Sequence, residues 1–360
     1  MTTARVPVAI LGAGGYIGQH FARLLDDHPS FEVTALGAGE RSVGRTLGEV
    51  WQLAEAPPAG LERRRLEPLA ARRLAGLGVR VVFSALPSGT AGPLESELVR
   101  RGISVFTNAS DHRLDARVPL LVPEVNAGHL ELLRHLPRRR GLLVADPNCS
   151  AAGLVLALAP IWRRLDPRAV HVSTYQALSG AGFPGVPSLA IADNVVPFIE
   201  SEEEKVARES ARLLGRRRGA RIHPRTTPFV VHCARVATRE GHLEAVTVDA
   251  RGTPKLAEIV ADWTTFDPLR GLALPTAPHP PVEVRRERDR PQPVRDRWAG
   301  HPARARGMAA VVGRLRWEPP YFRFFVLSHN AVRGGAGGSV LNAELALARG
   351  LLDGRGAPPR

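Results

Sequence analysis

Cysteine is scarce, with two residues in 360, and that excludes a disulfide-stapled scaffold. Long apolar runs are missing too. The longest, Ala151 to Trp162, is too short to span a bilayer and is followed by Arg163 and Arg164, so no transmembrane segment and no membrane partner are expected. The N-terminus has one arginine and then strand-like residues in place of a secretory apolar stretch, which predicts a cytoplasmic protein. Lysine is nearly absent: of 49 basic residues only Lys205 and Lys255 are lysines, a bias that GC-rich coding would produce. Aromatic residues make up 5%, and no aromatic ladder accompanies the arginine clusters 63–65, 138–140, 216–218 and 285–306. The net charge of +14 is therefore read as solvated surface, with no nucleic-acid partner.

What is present is an ordinary globular composition, 44% hydrophobic and 23% charged, sufficient for two domains. Val6 to Leu11 is a short apolar run, followed by Gly12, Ala13, Gly14, Gly15, Tyr16, Ile17 and Gly18. Ile17, Phe21, Leu24 and Leu25 then recur at helical spacing. A strand, glycine turn and helix in this order bring backbone N–H groups and a helix N-terminus against a pyrophosphate, although such turns also join elements that bind nothing. Further strand-like runs at Glu32 to Leu36, Val79 to Ala85, Ser104 to Thr107 and Leu142 to Ala145 favour a doubly wound parallel sheet and the nucleotide reading. After the second run comes Gly37-Ala38-Gly39-Glu40-Arg41-Ser42, where Arg41 and Ser42 suit a 2′-phosphate and hence NADP over NAD.

Farther on, Asp146-Pro147-Asn148-Cys149-Ser150 sets a thiol where a strand ends and a helix begins, a position that favours thiolate. Cys233, in the apolar run 229–233, fits an inert core residue. His242 is expected in a turn between the strand-like runs Val230 to Val236 and Glu244 to Val248, with Arg235 on the first of them. Together the pair supplies proton transfer and anion binding on one rim. Ser201 with Glu204 reads as a capping box opening a helix that Gly215 stops, and Glu202 and Lys205, at i,i+3, share its face. No metal ligand set is expected.

These residues resemble the aspartate-semialdehyde dehydrogenase family, in its archaeal and fungal branch. The likeness runs through the turn Gly12 to Gly18, the loop Arg41 to Gly44, Ser84-Ala85-Leu86-Pro87-Ser88, Asn108-Ala109-Ser110 with Arg113, and Pro147 to Ser150. It continues through Gln176 to Gly182, Asp193 to Pro197, Glu202 to Lys205, Arg235 with Gly241-His242, Asp289 to Pro293 and His329 to Gly337.

The resemblance implies Cys149 as nucleophile, His242 as acid/base and Gln176 as the group orienting the acyl intermediate. It assigns Arg235 to the substrate carboxylate, Glu202 to its ammonium, and Lys205 and Arg113 to phosphate. Gly12, Gly14, Gly15, Tyr16, Ile17, Gly18, Arg41, Ser42, Ser84, Leu86, Pro87, Gly180 and Asn330 would bind NADP(H). The implied fold is α/β: a Rossmann-type doubly wound parallel sheet domain at 1–148, completed by a C-terminal helix at 333–355, plus an α+β substrate and dimerisation domain at 149–332.

The implied reaction is reduction of L-aspartyl-4-phosphate to the semialdehyde with release of inorganic phosphate, by a homodimer or homotetramer. Amides at the start of the Cys149 helix are candidate oxyanion donors. Ala151, Asp146, Gly39 and Ala234 depart from the family pattern. They leave open NAD as cofactor and a related acyl substrate, such as an N-acetylglutamyl phosphate or a malonyl thioester. A non-catalytic nucleotide- or nucleic-acid-binding protein is the third reading.

Overall fold

The computed structural model describes residues 4–135 and 141–352. The arginine run 138–140, the tail 353–360 expected to fray, and the last residues of the expected 333–355 helix lie outside the described residues.

The first sheet is built from β1 (Val6–Leu11), β2 (Phe31–Ala38), β3 (Glu67–Pro68), β4 (Val81–Ser84), β5 (Ser104–Thr107) and β6 (Leu143–Ala145). Their order is β3-β2-β1-β4-β5-β6 and every pairing is parallel. The helices between them are α1 (Tyr16–Leu25), α2 (Ala71–Gly76), α3 (Ala91–Arg100) and α4 (Pro123–Asn126). All of β4 and β5 is buried, as expected of parallel strands covered on both faces, and this explains why they read as continuous apolar runs. Strand order reverses between β1 and β4. A crevice opens at such a reversal, and the glycine turn after β1 stands at its mouth. The edge strand β3 is two residues long, too short to leave a pattern in the sequence.

Helix α5 (Cys149–Leu165) follows β6 and leads to the second sheet. It is buried along nearly its whole length, so it is apolar on all sides. It is followed by β7 (Pro167–Gln176), α6 (Ser188–Ile191), α7 (Glu202–Leu213), the small hairpin β8 (Arg216–Arg218) and β9 (Arg221–His223), and β10 (Phe229–Arg235). Then come β11 (His242–Ala250), α8 (Leu256–Thr265), β12 (Val282–Val284), α9 (Pro293–Asp296), β13 (Ala310–Glu318) and β14 (Tyr321–Ser328). The large sheet is mixed, ordered β10-β7-β11-β14-β13-β12. Strict alternation of buried and half-buried residues along β11 marks a strand covered on one face, where α5, α7 and α8 pack. His242 is the first residue of β11, paired with Ser328, and not part of the preceding turn: the strand runs two residues farther back than its apolar pattern.

The last helix, α10 (Gly337–Ala348), returns to the first sheet. Its Val340, Leu341 and Leu345 share a core with Val8, Ile10, Phe21 and Phe83. Before it, buried Arg333 binds buried Glu124 of α4 through two hydrogen bonds of 2.7 and 2.8 Å. Among the described residues no helix is long and apolar enough to cross a membrane. Much of the arginine excess is locally engaged, with Arg285 and Arg290 converging on buried Asp296.

Candidate active site

A cavity of about 460 Å³ lies between the two domains, reached from the glycine turn by Ile17 and from the second domain by Cys149. Leu86, Pro87, Asn330, Arg113, Gln176, Gly180, Glu202, Lys205 and Arg235 also line it. Eight separate stretches of chain thus converge on one volume.

Cys149 opens α5. Asn148 caps that helix, its Oδ1 accepting from the Ser150 and Ala151 amides at 2.9 and 3.2 Å. Those two amides, expected as oxyanion donors, therefore already have a side-chain partner. Cys149 Sγ lies 3.2 Å from His242 Nε2, and the Ala177 amide donates to His242 Nδ1 at 3.1 Å. A backbone N–H can only donate, so Nδ1 accepts and the ring proton of neutral His242 sits on Nε2, directed at the sulfur. Burial first, then Arg235, pushes His242 down to about 3, and it is neutral at working pH. Burial, then the Glu202 carboxylate, pushes the Cys149 thiol up, against the pull of Arg113 and Arg235.

Helix α7 sends Glu202 and Lys205 into the cavity. Glu202 Oε1 accepts from Asn148 Nδ2 at 2.8 Å and from Gln176 Nε2 at 3.1 Å. Gln176 also donates to Ser150 Oγ at 2.9 Å, which fixes its amide beside the start of the Cys149 helix. Lys205 makes no ion pair among the described residues. Arg235 ends β10, where its backbone pairs with Val196, and its Nη1 donates to the Ala177 carbonyl at 2.8 Å. A Cβ added to Gly180 would lie 2.7 Å from Arg235 Nη1 and 3.2 Å from His242 Cε1, so only glycine leaves both side chains in place. Arg113 lines the cavity but is held by Glu209 at 3.2 Å and the Asn108 carbonyl at 2.6 Å.

At the cofactor end, Gly12 has φ +76° and a Cβ there would meet the Ala85 carbonyl at 2.6 Å, which confines the position to glycine. Gly15 caps α1 without a side-chain hydrogen bond, and the first turn carries no acid. The helix thus presents free N–H groups and its positive end, an anion site. Arg41 is exposed beside half-buried Ser42, and open space surrounds Gly39 and Gly44. These donors fit a pyrophosphate and a 2′-phosphate. Gly14 and Gly18 shape the same turn, and Ser84 is fully buried at the end of β4.

Tyr16 departs from its expected place: its side chain is buried away from the cavity and its phenol donates to Glu240 of the second domain. Ser201 also departs, because it adopts φ +55° and makes no side-chain cap, so α7 starts without a capping box. Sequence reasoning missed Glu209, which accepts from the Asn148 amide at 2.6 Å as well as from Arg113. Its signal was in the chain, since Glu202, Lys205 and Glu209 stand at i, i+3 and i+7 on one helix face. Among the described residues no cluster of His, Cys, Asp or Glu is arranged to hold a metal.

A model described as the NAD binding domain of semialdehyde dehydrogenase matches residues 7–133, and one described as its dimerisation domain matches 158–333. The chain is similar to the aspartate-semialdehyde dehydrogenase of Archaeoglobus fulgidus, 42% identical over 95% of this chain and 98% of that protein. It is also similar to the malonyl CoA reductase (NADP) of Metallosphaera sedula, 38% identical over 96% of this chain and 98% of that one. Among solved structures, aspartate semialdehyde dehydrogenase with NADP from Candida albicans superposes with a TM-score of 0.86 at 31% identity. That match covers 97% of this chain and 100% of the other.

Proposed function

Because the chain belongs to the semialdehyde dehydrogenase family, we propose that it reduces L-aspartyl-4-phosphate to L-aspartate 4-semialdehyde, with NADPH, through a thioester on Cys149. The observation that carries this reading is the convergence of the Cys149–His242 pair with Arg235, Glu202 and Lys205 on one cavity. An aspartyl phosphate brings a carboxylate, an ammonium and a phosphate. Arg235 matches the first, Glu202 the second, and Lys205 with Arg113 the third.

Cys149 gives its proton to solvent in the open cavity, and the thiolate, hydrogen-bonded by His242 Nε2–H, attacks the acyl carbon while phosphate leaves toward Lys205 and Arg113. The same Nε2–H then hydrogen-bonds the oxygen of the tetrahedral carbon, whose charge returns to the sulfur when the C–S bond breaks, and Gln176 orients the acyl group. The glycine turn Gly12 to Gly18 with the N-terminus of α1 would hold the cofactor pyrophosphate, and Arg41 and Ser42 its 2′-phosphate. Leu86, Pro87 and Asn330 would flank its nicotinamide. The chemistry that NADPH supplies when bound is hydride transfer to the thioester carbonyl.

Such a reaction serves the synthesis of lysine, threonine and methionine, and two free cysteines are consistent with a reducing cytoplasm. The sheet face opposite α5 carries Tyr175 at 40% and Val230 at 43% exposure, and it supports pairing with a second copy.

The alternative, a malonyl-thioester reductase, has the support of the 38% relative. Malonate carries no ammonium, however, and nothing in it would answer the Glu202 carboxylate. The test is side-by-side assay of L-aspartate 4-semialdehyde with phosphate and NADP, and of malonyl-CoA with NADPH. A turnover ratio above about a hundredfold in favour of the first is expected from one buried ion pair. Preference for malonyl-CoA would overturn the aspartyl reading.

A further inference from the structure

Tyr16 is the first residue of α1, next to the glycine turn, yet its side chain serves the other domain. Its phenol donates to Glu240, and its ring stands edge-on to Phe183 and His20, at 5.1 and 5.0 Å between centroids. Both partners are buried, Tyr16 at 7% and Glu240 at 6% exposure, so this hydrogen bond works with little competition from water. Burial and the Glu240 carboxylate push the phenol up, which keeps it a donor.

Glu240 lies in a turn two residues before His242, and its carboxylate also faces Arg297 Nε at 3.5 Å and His329 Nε2 at 3.8 Å. The turn is tied to the 177–182 loop by backbone bonds from Leu178 to Thr238 and from Ser179 to Arg239, 2.7 and 3.2 Å long. It is tied to Asn330 by the Gly241 amide at 2.9 Å, and Asn330 in turn donates to Ser179 Oγ at 2.9 Å. Those anchors belong to the second domain or its edge. Tyr16 supplies a hydrogen bond from the cofactor domain.

We propose that Tyr16 is a positioning residue: by clasping Glu240 it holds the turn that leads into His242 at the start of β11, and so keeps His242 Nε2 on Cys149 Sγ and links the cofactor turn to that pair. The proposal rests on the reading of Cys149 and His242 given above. It does not rest on the identity of the acyl substrate.

The test compares Tyr16→Phe, Glu240→Gln, Glu240→Ala and the double variant Tyr16→Phe/Glu240→Ala in the full-length protein. Three quantities are measured: kcat and KM for NADPH, the NADP dissociation constant, and the rate of Cys149 alkylation by iodoacetamide with and without NADP. Tyr16→Phe keeps the ring packing and should leave NADP affinity within about threefold while lowering kcat roughly tenfold, the scale of a displaced reacting group. Wild-type alkylation should respond to NADP, and that response should be lost in Tyr16→Phe and in Glu240→Ala. Glu240→Gln retains an acceptor for the phenol and should recover most of it.

The double variant should lose no more than Glu240→Ala alone, since Tyr16 acts through Glu240. Losses that multiply in the double variant overturn the proposal. So does a Tyr16→Phe enzyme with unchanged kcat and an unchanged alkylation response, or a loss confined to NADP affinity. A fully active Cys149→Ser variant would instead remove the catalytic reading, and the two failures are separable.

Discussion

The Cys149 thiol rests protonated and His242 rests neutral, one pushed up and the other pushed down by the same burial. With His242 titrating near 3, no histidine limb should appear near neutrality in the free protein. With the thiol raised, iodoacetamide alkylation should climb about tenfold per pH unit between about pH 6 and about pH 9, tracking the thiolate fraction. A plateau above neutrality would show an already ionised thiol and contradict this account. Glu202 contributes to the raised thiol, and it accepts hydrogen bonds from Asn148 and Gln176. Glu202→Gln should therefore speed alkylation of the free enzyme while raising KM for the amino-bearing substrate by roughly a hundredfold or more, the cost of an unanswered ammonium. Slower alkylation in that variant would reverse the assigned sign. Motifs made Cys149, Gln176, Arg235 and His242 legible. The Ala177 amide that fixes the His242 tautomer was not, because a backbone donor has no residue code.

At the scale of elements, the chain revealed α5 and the strands of the first sheet through apolar runs, and it concealed what short or irregular pieces do. The turn before β11 was read one strand-end too long because His242 and Leu243 continue a pairing that polar residues interrupt. The start of α7 was read as a capping box from Ser201 and Glu204, but the loop enters with Ser201 at positive φ, which turns its hydroxyl away from the cap. The loop before α7 is tied to β10 by the Val196 bridge to Arg235.

The bidentate Arg333–Glu124 pair ties the approach to α10 onto α4 with both groups buried. Arg333→Leu leaves the Glu124 carboxylate alone in the core and should cost about 3–5 kcal/mol in denaturant unfolding. Arg333→Leu with Glu124→Leu should recover most of it. Loss below about 1 kcal/mol in the single variant would mean that the pair is not buried as described.

At the scale of the molecule, composition alone identified a two-domain globular protein, and the strand pattern identified the doubly wound half. The mixed second sheet was less legible, because its strands alternate on one face only and its central strands pair with partners far away in sequence, as Tyr175 of β7 with Leu243 of β11 and His242 of β11 with Ser328 of β14. The exposed face of that sheet, with Tyr175 beside Leu243 and Ala245 paired to Phe325, is proposed to meet a second copy. The wild-type protein should have a dimer or tetramer mass by light scattering, and Tyr175→Arg with Phe325→Arg should lower it. A wild-type monomer would contradict that part of the account.

The central claim is that Cys149 carries the acyl group, and it is tested most directly by intact-protein and peptide mass spectrometry after incubation with L-aspartate 4-semialdehyde and NADP in the absence of phosphate. The account predicts one aspartyl thioester on the Cys149 peptide, absent in Cys149→Ser and discharged when phosphate is added. An adduct on Cys233, or turnover with no adduct and no need for phosphate, would contradict it.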